Sequence, residues 1–226
     1  MVKSSFLYRK YELYNYGFIG IGKVIIKETN FRKEKNELMA GKTTVALTLE
    51  QLKEIIKTMR SGGTGFRAND RIATCLVLEA NLGIRIGDIL NLRLCDIVED
   101  GDIFRLDIIE EKTGKKRTFP VKVETLNFLK LYCLENAIKS DEIIFPVSER
   151  QVQKYLQKVT DYLGIKDVGT HSFRKFFATE IYEQNDHDFE LVRQLLQHSS
   201  ITTTQRYIKR SRKQITVAIM KHGIYV

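Results

Sequence analysis

Between residues 103 and 123 the apolar residues change their spacing, and this limits the folds open to the chain more than any other feature. IFRLDIIEE (103–111) and KKRTFPVKV (115–123) are strand-like and joined through Lys112, Thr113 and Gly114, which predicts a hairpin with its tip near Thr113 and Gly114. On both sides of this island the pattern is helical. Upstream, Thr48 and Gln51 make a capping box that opens a helix to about residue 60, and SGGTG at 61–65 breaks it. A second helix over about 67–82 is apolar on nearly every side (IATCLVLEA), so it belongs at the centre of the core. Gly83 can end it, Arg85 follows in the turn, and a short helix is expected over 86–94. Downstream, Leu126, Leu129 and Cys133 repeat at helical spacing, and Ser148 with Gln151 caps a helix to about residue 163. Further helices follow over about 171–184, 188–197 and 202–221. Helices, a small antiparallel sheet, then helices again define an α+β class that is mainly helical.

Composition narrows the partners. Lys and Arg number 37 against 28 Asp and Glu, a net charge of +9 that favours a polyanion such as nucleic acid over simple solubility. Cys75, Cys95 and Cys133 lack CxxC spacing, so neither a disulfide framework nor a zinc site is expected, and reduced thiols suit a cytoplasm. No apolar run reaches the roughly 18 residues a membrane span needs, and no signal peptide is visible, so no membrane partner is expected. AGKT at 40–43 lacks the first glycine and the preceding strand of a phosphate-binding loop. Residues 1–45 are basic and aromatic (YRKYELYNYGFIGIGK, NFRKEKNELMAGKTT) and too short for a core of their own; they read as an arm that packs on the main domain or waits for DNA, with Arg9, Lys10, Arg32, Lys33 and Lys35 suited to DNA backbone.

The chemistry-bearing residues cluster late in the chain. HSFRKFFATEIYEQNDHDFELVRQLLQHSSITTTQRY (171–207) holds His171 and Arg174 three apart, hence on one helical face, then His198 and Tyr207. A guanidinium forks onto two phosphate oxygens, an imidazole moves a proton near neutral pH, and a phenol can be a nucleophile. Taken singly, each has a plainer reading. Arg85 could pair with Asp88 at a helix start, and Lys112 could be a solvated hairpin charge with Lys115 and Lys116 as competitors. His171 and His198 could sit at helix ends, and Tyr207 could be a core aromatic. As a set they suit cleavage of a phosphodiester without a metal: cations for the non-bridging oxygens, an in-line nucleophile, and an acid for the leaving oxygen.

In this order the residues resemble the catalytic domain of the tyrosine recombinase family, the phage-integrase type, over about residues 46–210. NLGIRIGDILNL (81–92) is similar to its first arginine box, with Arg85 at the arginine and Asp88 at the acidic position. Lys112 in EEKTGKKRTFPV falls at the hairpin lysine, HSFR supplies His171 and Arg174, LLQHSS supplies His198, and TTTQRY brings Tyr207 to the nucleophile position. Three departures stand out. Gln197 replaces a glycine usual before the second histidine, where glycine suits a tight approach or a left-handed turn, so a shift in how His198 meets the phosphate is expected. The loop EQNDHDF is about one residue longer than expected, and residues 1–45 leave no room for the family's helical core-binding domain.

The resemblance implies a domain over 46–226, with a tail from about residue 211, that acts as a site-specific DNA recombinase or integrase of a mobile genetic element. Tyr207 would form a 3′-phosphotyrosyl intermediate, His171 would assist the proton, Lys112 would protonate the leaving oxygen, and Arg85, Arg174 and His198 would hold the phosphate. No cofactor and no metal are implied. Double-stranded DNA is the implied partner, bound by a homo-tetramer on paired sites that is weak or monomeric without DNA; a directionality factor could join it. The implied place is the cytoplasm, at the nucleoid. Two other readings are a DNA-binding regulator that no longer cuts, and relaxation like that of a type IB topoisomerase. The tail SRKQITVAIMKHGIYV would be exchanged between neighbours or would pack on its own domain.

Overall fold

The computed structural model describes residues 44–111, 114 and 116–208. Its elements run α1 (Leu49–Ser61), α2 (Asp70–Leu82), α3 (Ile86–Leu90), a 3-10 turn (Leu94–Asp96), β1 (Ile97–Asp100), β2 (Ile103–Ile109) and β3 (Lys116–Val121), followed by α4 (Val123–Glu135), α5 (Glu149–Tyr162), α6 (Thr170–Gln184), α7 (Phe189–Leu196) and α8 (Ile201–Tyr207). The α+β, mainly helical expectation holds. Both capping boxes are present: Thr48 with Gln51 opens α1, and Ser148 with Gln151 opens α5. Helix α2 begins three residues later than its apolar run suggested, because the Asn69 side chain accepts from the Ile72 amide and caps it there.

The sheet has three antiparallel strands in the order β1-β2-β3, with Ile97 opposite Leu106 and Leu106 opposite Phe119. Strand β1 was not anticipated: IVED is four residues long, and half of it is exposed, so it carries no alternation to read. The predicted hairpin is β2 and β3, and its tip residues Lys112 and Thr113 lie outside the described residues. The last two helices match the expected 188–197 and the first part of 202–221; residues from 209 onward lie outside the description. No helix among the described residues is long and apolar enough to cross a membrane.

Two apolar clusters hold these elements. The larger gathers Ile55 and Met59 of α1, Leu76 and Leu78 of α2, Ile89 of α3, Leu106 of β2, Leu129 of α4, Leu156 of α5 and Phe173 of α6. Burial on this scale supplies most of the driving force for the domain. The smaller cluster is only Ala178, Tyr182, Val192, Leu196 and Ile208, with Phe177, Ile181, Phe189 and Tyr207 against it. Helices α7 and α8 rest on this smaller set. Local opening is therefore cheapest at the end of the domain that carries Tyr207.

One glycine fixes the geometry around Arg85. Gly83 ends α2 in the left-handed conformation at φ 59°, and a Cβ there would lie 2.1 Å from the Phe177 ring on α6. Only a residue without a side chain lets α2 end against α6 in this way. Arg85 follows two residues later, at the start of the next helix.

Candidate active site

Arg85 is the N-cap of α3, in extended conformation, and it donates through Nη1 to Oε2 of Glu110 at 2.5 Å. Glu110 is the residue after β2 and is fully buried. Its other oxygen accepts from Nη1 of Arg117 at 3.3 Å. Arg117, on β3, is 3% exposed, lies 4.7 Å from the centroid of the Phe119 ring, and donates through Nη2 to the Leu195 carbonyl at the end of α7. The plainer pairing of Arg85 with Asp88 does not form. Instead Asp88 Oδ1 accepts from the Glu111 amide at 2.9 Å, which fastens α3 to the hairpin one residue before Lys112.

Arg174 points inward from α6, 2% exposed, and donates through Nη2 to the Leu196 carbonyl at 2.9 Å, while its Nη1 has no hydrogen-bond partner. Two arginines thus hold consecutive carbonyls of the last turn of α7, where a helix presents unsatisfied acceptors and partial negative charge. The next residue, Gln197, adopts the left-handed conformation at φ 53°. The turn that suits glycine is therefore retained by a glutamine, at a modest conformational cost. Its amide oxygen is buried without a partner.

That turn delivers His198, whose Nδ1 is 3.0 Å from Thr204 Oγ1 and whose ring meets the Tyr207 ring edge-to-face, centroids 5.2 Å apart. Tyr207 ends α8. Its hydroxyl is buried without a hydrogen bond, and the Lys175 ammonium lies 5.4 Å from its ring centroid. Burial pushes the phenol upward; Arg174 and Arg85 oppose this and the Glu79 carboxyl adds to it. Arg174 nears that hydroxyl without hydrogen-bond geometry, so it acts as a nearby cation.

The electrostatics are those of an anion receptor. Burial, then the neighbouring Arg174, brings Arg117 down to about 10. Burial also lowers Arg174, with Arg85 adding to the effect. Burial pushes the fully buried, hydrogen-bond-free Glu79 well above the carboxylate range. Arg85, Arg117 and Arg174 gather around the buried Glu110 carboxyl, an arrangement of donors suited to a phosphate.

The structure therefore brings together Arg85, Arg174, His198 and Tyr207. His171 stands exposed on the first turn of α6 and lines, with Arg85, Gly87, Glu111 and Glu149, a cleft of about 630 Å³. Lys112 and its competitor Lys115 lie outside the described residues; Lys116 is exposed at the start of β3. Sequence reasoning missed Glu110, Arg117, Thr204 and Glu79. One signal for Arg117 was available: on β3 it shares a face with Phe119 and Val121, and an arginine at an inward strand position needs an acid.

His198 gives a pH-dependent expectation. Burial, with Arg174 and Arg85 adding to it, holds the imidazole down to about 4. Below the unperturbed value of about 6.5 the unfolded chain gains a proton that the folded one refuses until about 4, so stability falls as pH drops through this window. For a half-buried ring, the loss expected is about 1–2 kcal/mol after solvent screening. Urea unfolding at stepped pH, wild type against His198→Asn, measures it: the gap between the two should narrow on acidification.

The family model for the phage integrase family matches residues 46–214. Among curated relatives, the probable integrase/recombinase YoeC of Bacillus subtilis is 29% identical over 71% of this chain and 86% of its own length. The tyrosine recombinase XerA of Pyrococcus furiosus is 27% identical over 79% of this chain and 62% of its own. A crystal structure of XerA recombinase superposes with a TM-score of 0.59 at 23% identity, covering 81% of this chain and 66% of that one. XerH site-specific recombinase bound to difH substrate, a pre-cleavage complex, gives 0.58 at 20% identity, over 77% and 53%. Apart from the Bacillus protein, the chain spans about half to two thirds of the length of these relatives. With the fold, the ordered boxes and the family model in agreement over the same residues, this chain belongs to the phage integrase family, the tyrosine recombinases.

Proposed function

We propose that the chain is the catalytic part of a site-specific recombinase that cuts and rejoins duplex DNA through a 3′-phosphotyrosyl intermediate. The observation that carries this reading is a pair of buried polar atoms without partners, Arg174 Nη1 and the Tyr207 hydroxyl, beside Arg85 and His198. Buried groups of this kind are costly, and a phosphate oxygen and a phosphorus centre would engage both.

In this mechanism the Tyr207 oxygen attacks the scissile phosphorus as the bond to O5′ breaks. Arg85 and Arg174 donate to the non-bridging oxygens. His198, held at Nδ1 by the Thr204 hydroxyl, donates from Nε2 to the same phosphate. The phenol proton passes toward His171, and Lys112 gives a proton to the departing O5′. A 5′-hydroxyl from the partner duplex then attacks the phosphotyrosine, so the bond energy is conserved and no nucleotide cofactor is consumed. Paired sites would bring four copies together, at the nucleoid, and a directionality factor would bias the outcome.

The test is covalent capture. Duplexes from the DNA flanking the gene, nicked so that the cut end diffuses away, should give a denaturation-resistant, protease-sensitive band in which the protein is joined to the 3′ end at the break. Tight binding at low salt without any such band would support the non-cutting regulator instead. Relaxation of any supercoiled plasmid without site dependence would favour topoisomerase-like action.

A further inference from the structure

The buried acid Glu110 belongs to none of the boxes that carry the family resemblance. It joins Arg85 at 2.5 Å with one oxygen and Arg117 at 3.3 Å with the other, and it is fully buried. Burying such a triad is seldom favourable for stability alone, since an apolar set of like shape would often do as well. Its connections are what distinguish it. Arg85 starts α3, Glu110 follows β2, Arg117 lies on β3, and Arg117 reaches the Leu195 carbonyl three residues before His198. Because Glu110 occupies one guanidinium nitrogen of Arg85, the fork can no longer swing freely, and a pre-set fork loses less entropy on meeting a phosphate.

We propose that Glu110 and Arg117 are positioning residues of the phosphate clamp: Glu110 sets the Arg85 fork from behind, and Arg117 carries the same carboxylate's position to the turn that presents His198. The proposal rests on the recombinase reading. Neither residue touches the phosphate. Glu110 is two residues before Lys112, so the hairpin that brings the lysine and the arginine fork share one anchor.

The tether and its consequence are tested separately. Arginine side-chain NMR of the DNA-free protein should show slow rotation about Nε–Cζ for Arg85, lost in Glu110→Gln and retained in a surface control. Fast rotation in the wild type overturns the tether, whether or not the protein cuts DNA. Single-turnover cleavage at saturating nicked duplex should then fall about 10- to 100-fold in Glu110→Gln, with DNA affinity within about threefold of wild type. In an Arg85→Ala background the same change should cost less than about twofold, since the carboxylate acts through that guanidinium. An equal further loss in that background overturns the positioning role and leaves a general structural one. Arg117→Lys, which keeps one donor and the charge, should recover more of the rate than Arg117→Met; equal losses overturn the link to the α7 end. A wild type that shows the tether but yields no covalent product would count against the proposed function alone.

Discussion

Tyr207→Phe will yield no covalent protein–DNA product, will bind duplex as tightly as wild type, and will be at least as stable. The first follows from the chemistry proposed: without the phenol oxygen there is no nucleophile, and the loss should exceed about 10⁴-fold, the limit of a gel assay. The third follows from the structure alone. The hydroxyl is buried without a hydrogen bond, so folding leaves it without the water bonds it had in the unfolded chain. Removing a buried hydroxyl of this kind relieves a desolvation penalty of about 1 kcal/mol or more, while the ring keeps its contact with His198 and its place against the smaller apolar cluster. Calorimetry should show a melting temperature equal to or above that of wild type. A melting temperature that drops by several degrees would mean the hydroxyl is a structural anchor and the plainer reading of Tyr207 as a core aromatic is correct.

The upward push on the phenol bears on how the step can run. A phosphate bound at Arg85 and Arg174 partly neutralises the two cations that now favour the phenolate. In the proposed step the proton would then leave during attack rather than before it, which calls for an acceptor within reach in the complex. His171 is exposed on the cleft it shares with Arg85, and the proposed function gives it this part.

What was legible in the sequence sorts by how local its cause is. Thr48 with Gln51, Ser148 with Gln151, and Gly83 each act within three or four residues, and all three boundaries appear where their chemistry put them. At position 197 the departure from glycine was legible, but not that Gln197 itself would take the left-handed conformation. Strand β1 was not, since IVED depends on pairing with β2 rather than on a pattern of its own. The bond from Arg117 to Leu195 spans 78 residues and that from Arg85 to Glu110 spans 25, so neither leaves a periodic trace. The boxes identified groups that would face the substrate. The carboxylate and carbonyls that hold those groups from behind became visible only in three dimensions.

Arg174→Met will separate catalysis from stability as Tyr207→Phe does, with the opposite effect on DNA binding. Arg174 is almost fully buried and shares its surroundings with Arg85 and Arg117, and burial lowers its guanidinium from the ordinary value. In the DNA-free protein its cation is thus poorly compensated. Methionine fills much of the volume without the charge, and the Leu196 carbonyl loses one donor. The lost hydrogen bond, about 1–2 kcal/mol, is opposed by the desolvation and repulsion removed, so the net change in unfolding free energy should lie within about 1 kcal/mol of zero. Cleavage should fall about 10²- to 10⁴-fold, as when a preorganised donor to developing charge is deleted. The slope of log affinity against log salt should shrink by about one unit, as expected when one phosphate is no longer neutralised by the protein. Arg174→Lys should keep that slope yet recover little of the rate, because an ammonium cannot hold the Leu196 carbonyl and a phosphate oxygen in the fixed fork of a guanidinium. Full activity in the lysine variant would show that charge alone suffices and that the link from α6 to the end of α7 plays no part in setting the site.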